Sequence, residues 1–362
     1  MSISPSSAGP ILFHPEPLAG HAVLFVADSA QARVLAFELP PETSAGGGEV
    51  QVEQLGARLA ALLGVERGGA VIRGIAVHPE SRAVYLSVAR GRGADSAAAI
   101  VRVGAGGVLE LVELSGLPVS SVELDDAPAP DDERVDAWLD GTDESSAAME
   151  IRGTTLQIAR VPVRRSTITD LAWVDGRLAV AGLSNEEFSS RLRLFPYPFD
   201  GSEQAASVEI FHVDHGRYET ESPIRALVGY GSGVLATYTC TPVVHFPLGA
   251  LSGNGPVRGR TIAELGPMNQ PFSIVTYDRD GEEYVLVSNT RHPLLRIPAS
   301  AIAEQPHLEV PLSDPAHSLG VPRDELPQAG VTWMANLDRG NIVVVQSDDD
   351  DTHLRTLAAA SL

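Results

Sequence analysis

Two histidines, His212 and His215, flank Asp214 in the segment HVDHGRYETESP, and imidazole beside carboxylate is a donor set suited to a transition metal. In LSNEEFSS, Glu186 and Glu187 follow Asn185. A carboxylate there can ligate a metal or act as a general base, and an amide oxygen can complete a calcium or magnesium shell. His317 is a further imidazole candidate, and Asn289, in SNTRHP, a further amide candidate for the substrate side. Cys240 stands between Thr239 and Thr241, where a neighbouring base or cation would make it a thiolate nucleophile. Arg90 and Arg92 share the Gly-rich stretch ARGRGADS with Asp95, a pattern able to clamp a carboxylate bidentately. Tyr218 completes the set of substrate-contacting candidates.

Each of these residues also has a structural reading: hydrogen-bonded surface histidines, solvated loop carboxylates, an inert buried thiol, an internal arginine–aspartate pair. No Ser-nucleophile elbow, HExxH, CxxCH or EF-hand loop occurs in the sequence, so no signature motif identifies a reaction.

Composition narrows the chemistry. All 26 basic residues of the 362 are Arg, none is Lys, and they face 47 Asp plus Glu for a formal charge of −21. Without Lys there is no Schiff base, hence no pyridoxal chemistry, and no Walker-type phosphate loop. No nucleotide and no haem is expected. An acidic surface repels phosphate backbones, which excludes nucleic acid as a partner. One cysteine cannot form an intramolecular disulfide. No apolar run approaches membrane-spanning length, and MSISPSSAGPILFHP lacks a basic and apolar leader pattern, so a cytoplasmic protein without a membrane partner is expected.

The candidates must be positioned by a repeating all-β scaffold. First strands such as IRGIAV, ITDLAWV, IRALVGY, FSIVTY and VTWMAN each meet a turn (HPES, DG, GSG, DRDG, LDRG), a second strand (AVYLSVA, RLAVAGL, GVLATYT, EYVLVSN, NIVVVQS) and a third. A looser copy opens the chain with ILFHP, AVLFVADS and ARVLAFELP. Between most copies a further strand, VQVEQLG, VLELVEL, SVEIFHV, RTIAEL or HLEVPL, reads as the fourth of a unit. Six four-stranded blades of a β-propeller, forming one domain over residues 1–362, are expected. Second strands recur at offsets of 61, 94, 56, 50 and 58 residues, and the 94-residue interval leaves room for a seventh blade. Glu123 to Glu144 fills much of it with ten acidic residues and one Arg, and reads as a mobile acidic loop inserted between blades, a place for a protein partner. ARLAALL (Ala57–Leu63) reads as a surface helix.

Propeller topology puts the short turns on one face and the long polar loops that carry the candidates on the other, at the mouth of the channel. The blade pattern resembles bacterial six- and seven-bladed propellers of the NHL-repeat, YncE-like and SMP-30-like groups. The words RGRGAD, LSNEEF, HGRYETESP, YTCTP and IAELG are similar to a set of bacterial propellers without an assigned activity. SMP-30-like lactonases hold a divalent metal through an N-terminal Glu with later Asn and Asp; this chain offers only Glu16 there. The expectation is a metal-assisted enzyme for a small polar or anionic substrate, with calcium, magnesium and copper open as the metal. Lactonase-like hydrolysis and copper-type redox chemistry are both open. The alternative is a non-catalytic propeller that binds a ligand or protein partner.

Overall fold

The computed structural model describes residues 3–42, 49–151, 153–240, 242–252, 255–311 and 319–362. These fall into two compact units, Met1–Asp125 with Ala329–Leu362, and Asp126–Gln328. In the first unit β1 (Ile11–Phe13), β2 (Ala22–Asp28) and β3 (Arg33–Leu39) form an antiparallel meander completed by β8 (Val119–Glu123). The next sheet is β4 (Ala70–Val77), β5 (Val84–Arg90), β6 (Ala97–Val103) and β7 (Leu109–Leu111), and a third is β27 (Val331–Asn336), β28 (Asn341–Ser347) and β29 (Thr352–Ala358). Helix α1 (Leu55–Leu63) begins two residues earlier than expected and buries Leu55, Leu59, Ala60 and Leu63.

The second unit holds four sheets. β9 (Val135–Trp138), β10 (Ala147–Ile151) and β11 (Thr154–Pro162) pair in the order β10-β11-β9. β12 (Asp170–Val174), β13 (Arg177–Leu183), β14 (Ser190–Pro196), β15 (Gln204–His212) and β16 (Arg217–Glu219) follow in sequence, with β20 (Val257–Arg258) parallel to β15. β17 (Ile224–Tyr230), β18 (Gly233–Tyr238), β19 (Pro242–Pro247), β21 (Arg260–Glu264) and β25 (Leu319–Gly320) form the next. β22 (Pro271–Arg279), β23 (Glu282–Asn289), β24 (Leu295–Pro298) and β26 (Asp324–Glu325) form the last, with helix α2 (Ala299–Glu304) against it.

The core of each unit lies between successive sheets. Val84, Leu86 and Val88 of β5 pack toward β28 and α1, whereas Tyr85 packs toward β2 and β3. Both faces of a middle strand are therefore buried, which is why these strands read as continuous apolar runs rather than alternating ones. Stacked antiparallel meanders of this kind are β-propeller blades, and the chain is an all-β protein of that class. Asp175 (φ 52°) and Gly176 (φ 71°) make the two-residue turn between β12 and β13, the positive-φ geometry that Asp-Gly favours in hairpins.

Among the described residues there are seven sheets: one from each of the six sequence repeats and one, β10-β11-β9, in the 94-residue interval. The described residues of HLEVPL, 307–311, form no strand; Leu308 instead donates a single backbone hydrogen bond to Thr261 (2.9 Å), Pro306 and Pro311 having no N–H to offer a ladder. Residues 123–144, read from sequence as a mobile loop, contain β9 and several anchors. Asp126 pairs with the fully buried Arg193 (2.5 Å). Asp136 accepts from Ser166 (2.5 Å), Arg225 (2.7 Å) and the Trp138 indole (3.1 Å), and Asp143 pairs with Arg165. Arg225 stands at a register shift of β17, and a bulge re-aims a side chain in this way. The acid that made the segment look unfoldable is the acid that ties it down.

Asp136 and Arg225 are 9% and 7% exposed, so removing one partner strands the other in a buried site. Asp136→Ala is expected to cost about 3–5 kcal/mol of unfolding free energy in urea denaturation; a loss below about 1 kcal/mol would place the pair with exposed ones.

Candidate metal centre

The segment after His212, expected as an open loop, is a β-hairpin. β15 ends at His212, residues 213–216 turn, and β16 returns with His212 opposite Arg217, Phe211 opposite Tyr218 and Ile210 opposite Glu219. Gly216 (φ 65°) permits the turn, its N–H donating to the His212 carbonyl (2.8 Å). The register brings Glu219 back beneath both histidines. Its carboxylate meets His212 Nδ1 at 2.8 Å and His215 Nδ1 at 2.5 Å, and accepts from Arg217 Nε at 3.3 Å. The two imidazole rings lie 4.0 Å apart, centre to centre. His212, His215 and Glu219 each offer a ligand atom within 4.8 Å of the others.

The neighbouring sheet adds a second carboxylate. The Thr261 hydroxyl on β21 donates to the Phe211 carbonyl (2.8 Å), and at the end of β21 Glu264 lies 3.9 Å from His212 Nε2. Glu264 is 0% exposed, and among the described residues neither its carboxylate oxygens nor His212 Nε2 makes a hydrogen bond to another side chain. A buried carboxylate without a partner is costly. Asp214, also buried, lies 4.0 Å from His215 Nε2, and His215 itself reaches solvent.

These neighbours set the protonation states. Burial raises the Glu219 carboxyl, but the hydrogen bonds of His212 and His215 outweigh it and hold it at about 2. Glu264 is pushed well above the carboxylate range by burial and by the charges of Asp214 and Glu219, against a smaller pull from the Val213 and Asp214 amides. Arg323, which contacts the Glu264 carbonyl at 3.5 Å, does not reverse this. Burial pushes the Cys240 thiol up to about 11, and the charges of Glu264, Asp214 and Glu219 add to the effect against a Met268 backbone hydrogen bond. That is the wrong direction for a thiolate nucleophile.

The other expected site residues are placed elsewhere. Asn185 is exposed and its N–H donates to the Asp126 carbonyl (2.8 Å). Glu186 accepts from Arg191 (3.2 Å) and Ser207 (3.3 Å), and Glu187 is exposed. Asn289 caps a turn, its side-chain oxygen accepting from the N–H groups of Arg291 (3.1 Å) and His292 (2.7 Å). Tyr218 packs under the Arg258 guanidinium (4.5 Å). Arg90 and Arg92 belong to the first unit, the histidine cluster to the second; Arg90 donates to the Leu63 carbonyl (2.8 Å) and Arg92 is exposed. His317 lies outside the described residues. Sequence reasoning missed Glu219 and Glu264. The spacing HxxHxxxE carries a signal for the first; the second sits within the word IAELG without any local cue.

A cleft of about 400 Å³ in the same unit is lined by Arg134, Asp136, Ser184, Ser189, Glu221 and Ser222, among others. Arg217 stands between cleft and cluster, 3.3 Å from Glu219 and 3.9 Å from Glu221.

No protein family matches the chain, and no curated protein does. Among solved structures it is similar to a chain of the mitotic checkpoint complex, at 9% identity and a TM-score of 0.39, over 99% of this chain and 88% of that one. It is similar also to the Cps50 (Swd1) β-propeller domain of Myceliophteria thermophila, at 8% identity and a TM-score of 0.33, over 98% and 84%.

The folded protein keeps a proton on Glu264 that the unfolded chain releases above its ordinary value of 4.5. Stability in chelator is therefore expected to fall as pH rises above about 4.5, by at most about 1.4 kcal/mol per unit. Glu264→Gln should reduce that slope in urea melts, leaving the part due to Asp170, which burial holds at about 7; an unchanged slope would contradict the assignment. Glu219 acts with the opposite sign, its stabilisation full above 4.5 and lost as pH falls toward 2.

Proposed function

We propose that this propeller binds a divalent transition-metal ion through His212, His215 and Glu219 and uses it as a Lewis acid toward a small polar or anionic substrate. The observation that carries this reading is the convergence of those three donors beside a buried Glu264 that has no side-chain hydrogen-bond partner among the described residues. Two imidazoles with a carboxylate favour zinc, iron or copper(II) over calcium and magnesium, which take oxygen shells. Three protein ligands leave a position for water or substrate, the arrangement of catalytic rather than structural zinc sites. Glu264, 3.9 Å from His212 Nε2, is placed to orient that imidazole once the ion engages its other nitrogen. Arg217, exposed at the edge of the site, is the cation available to an anionic substrate, and the cleft beyond Glu221 is the space for it.

Zinc titrated calorimetrically into the untagged, chelator-stripped chain is expected to bind one equivalent. His215→Ala and Glu219→Gln should each weaken it by at least about 100-fold, since loss of an outer partner alone costs about 10–100-fold. Absence of binding, or binding indifferent to both changes, would sink the reading. Hydrolysis of a lactone and ester panel that appears with zinc and vanishes in His215→Ala separates a catalytic site from a purely structural one.

A further inference from the structure

The sheet of β9, β11 and β10 stops one strand short. The other three sheets of its unit carry a fourth strand, respectively β15, β21 and β26. The first unit also has a three-stranded sheet, but there the outer edge is covered. Val52 and Leu354 of β29 exchange backbone hydrogen bonds (2.8 and 2.9 Å), and the Val50 N–H donates to the Thr356 hydroxyl (2.9 Å). β10 has no such cover. Among the described residues its backbone pairs with β11 alone, in unbroken register from Ala147–Ile158 to Ile151–Thr154, so alternate N–H and C=O groups face outward.

Apart from the charge of Glu150, the usual protections of an edge are missing as well. β10 reads AAMEI, without Pro, Lys or a bulge, and four of its five residues are exposed, Met149 by 50%. The other outer edge of equal length, β8, is already the fourth strand of its sheet.

We infer that β10 is a docking edge for an extended, basic segment of another protein, which adds alongside it as the missing fourth strand. Main-chain hydrogen bonds would supply the affinity and alternate side chains the choice of partner. The charge of the occupant follows from what surrounds the edge. Glu144 before β10 and Glu150 on it are exposed and pair with no cation among the described residues. A second copy of this chain is disfavoured, because it brings another −21 and a second Glu150 to the same ribbon. This inference is independent of the metal site.

The test uses the full chain and three fluorescent peptides: one alternating Val or Thr with Lys or Arg, the same peptide N-methylated on alternate amides, and its Glu-for-Lys counterpart. By anisotropy the basic peptide should bind, and the N-methylated and acidic ones should not. The E144K/E150K double variant should weaken the basic peptide at least about tenfold; both positions are exposed, so the fold is retained. No binding, equal binding of the N-methylated peptide, or indifference to E144K/E150K overturns the inference. A dimer in sedimentation that Met149→Arg abolishes would do so too, by making a second copy the occupant.

Discussion

Burying negative charge with only arginine and histidine to answer it is the constraint under which this chain folds. With 47 acids, 26 arginines and no lysine, each carboxylate taken out of water needs a planar, multi-donor partner close by. Asp28 has Arg33 (3.2 Å), Glu42 has Arg102 (2.8 Å), Asp126 has Arg193 (2.5 Å) and Asp136 has Arg225 (2.7 Å). Asp28 and Arg33 are neighbours in the β2–β3 ladder, whereas the other three pairs link loops and strands that the backbone ladders alone leave unjoined. Glu219 is answered by two histidines instead. Glu264, fully buried at the next strand end, has no side-chain hydrogen-bond partner among the described residues.

That exception gives the site its meaning. Where a buried carboxylate lies beside two imidazoles and has no side-chain partner of its own, a cation held by those imidazoles supplies the missing charge. The same reasoning demotes Glu186, which looks equally reactive in sequence but is held by Arg191 and Ser207. It demotes Cys240, whose burial, with acidic neighbours adding to it, keeps the thiol protonated. The hairpin of β15 and β16 does the positioning: its register, set by Gly216 and the short return strand, stacks His212, His215 and Glu219 into one group.

The blades were legible to the extent that their strands are local. First, second and third strands follow one another through Asp-Gly and similar turns, and apolar runs buried on both faces mark them clearly. The fourth strands were harder, because their partners are remote. β8 returns to β3 after a whole intervening sheet, and Val52 covers β29 from the opposite end of the chain. β16 hid in a polar segment because Arg217, Tyr218 and Glu219 owe their extended form to pairing with β15. β9 hid in an acidic one because Asp136 needs Arg225, which no local pattern reveals. His212 and His215 were legible by spacing, whereas Glu264 becomes a neighbour only when β21 packs on β15.

Anomalous diffraction from crystals of the zinc-loaded, untagged protein, recorded on either side of the zinc absorption edge, tests the central claim most directly. A single strong difference peak is expected among His212, His215 and Glu219, about 2.0–2.2 Å from two imidazole nitrogens and a carboxylate oxygen. A peak elsewhere, such as the Asp348–Asp351 run, or none in crystals of the loaded protein, would contradict it.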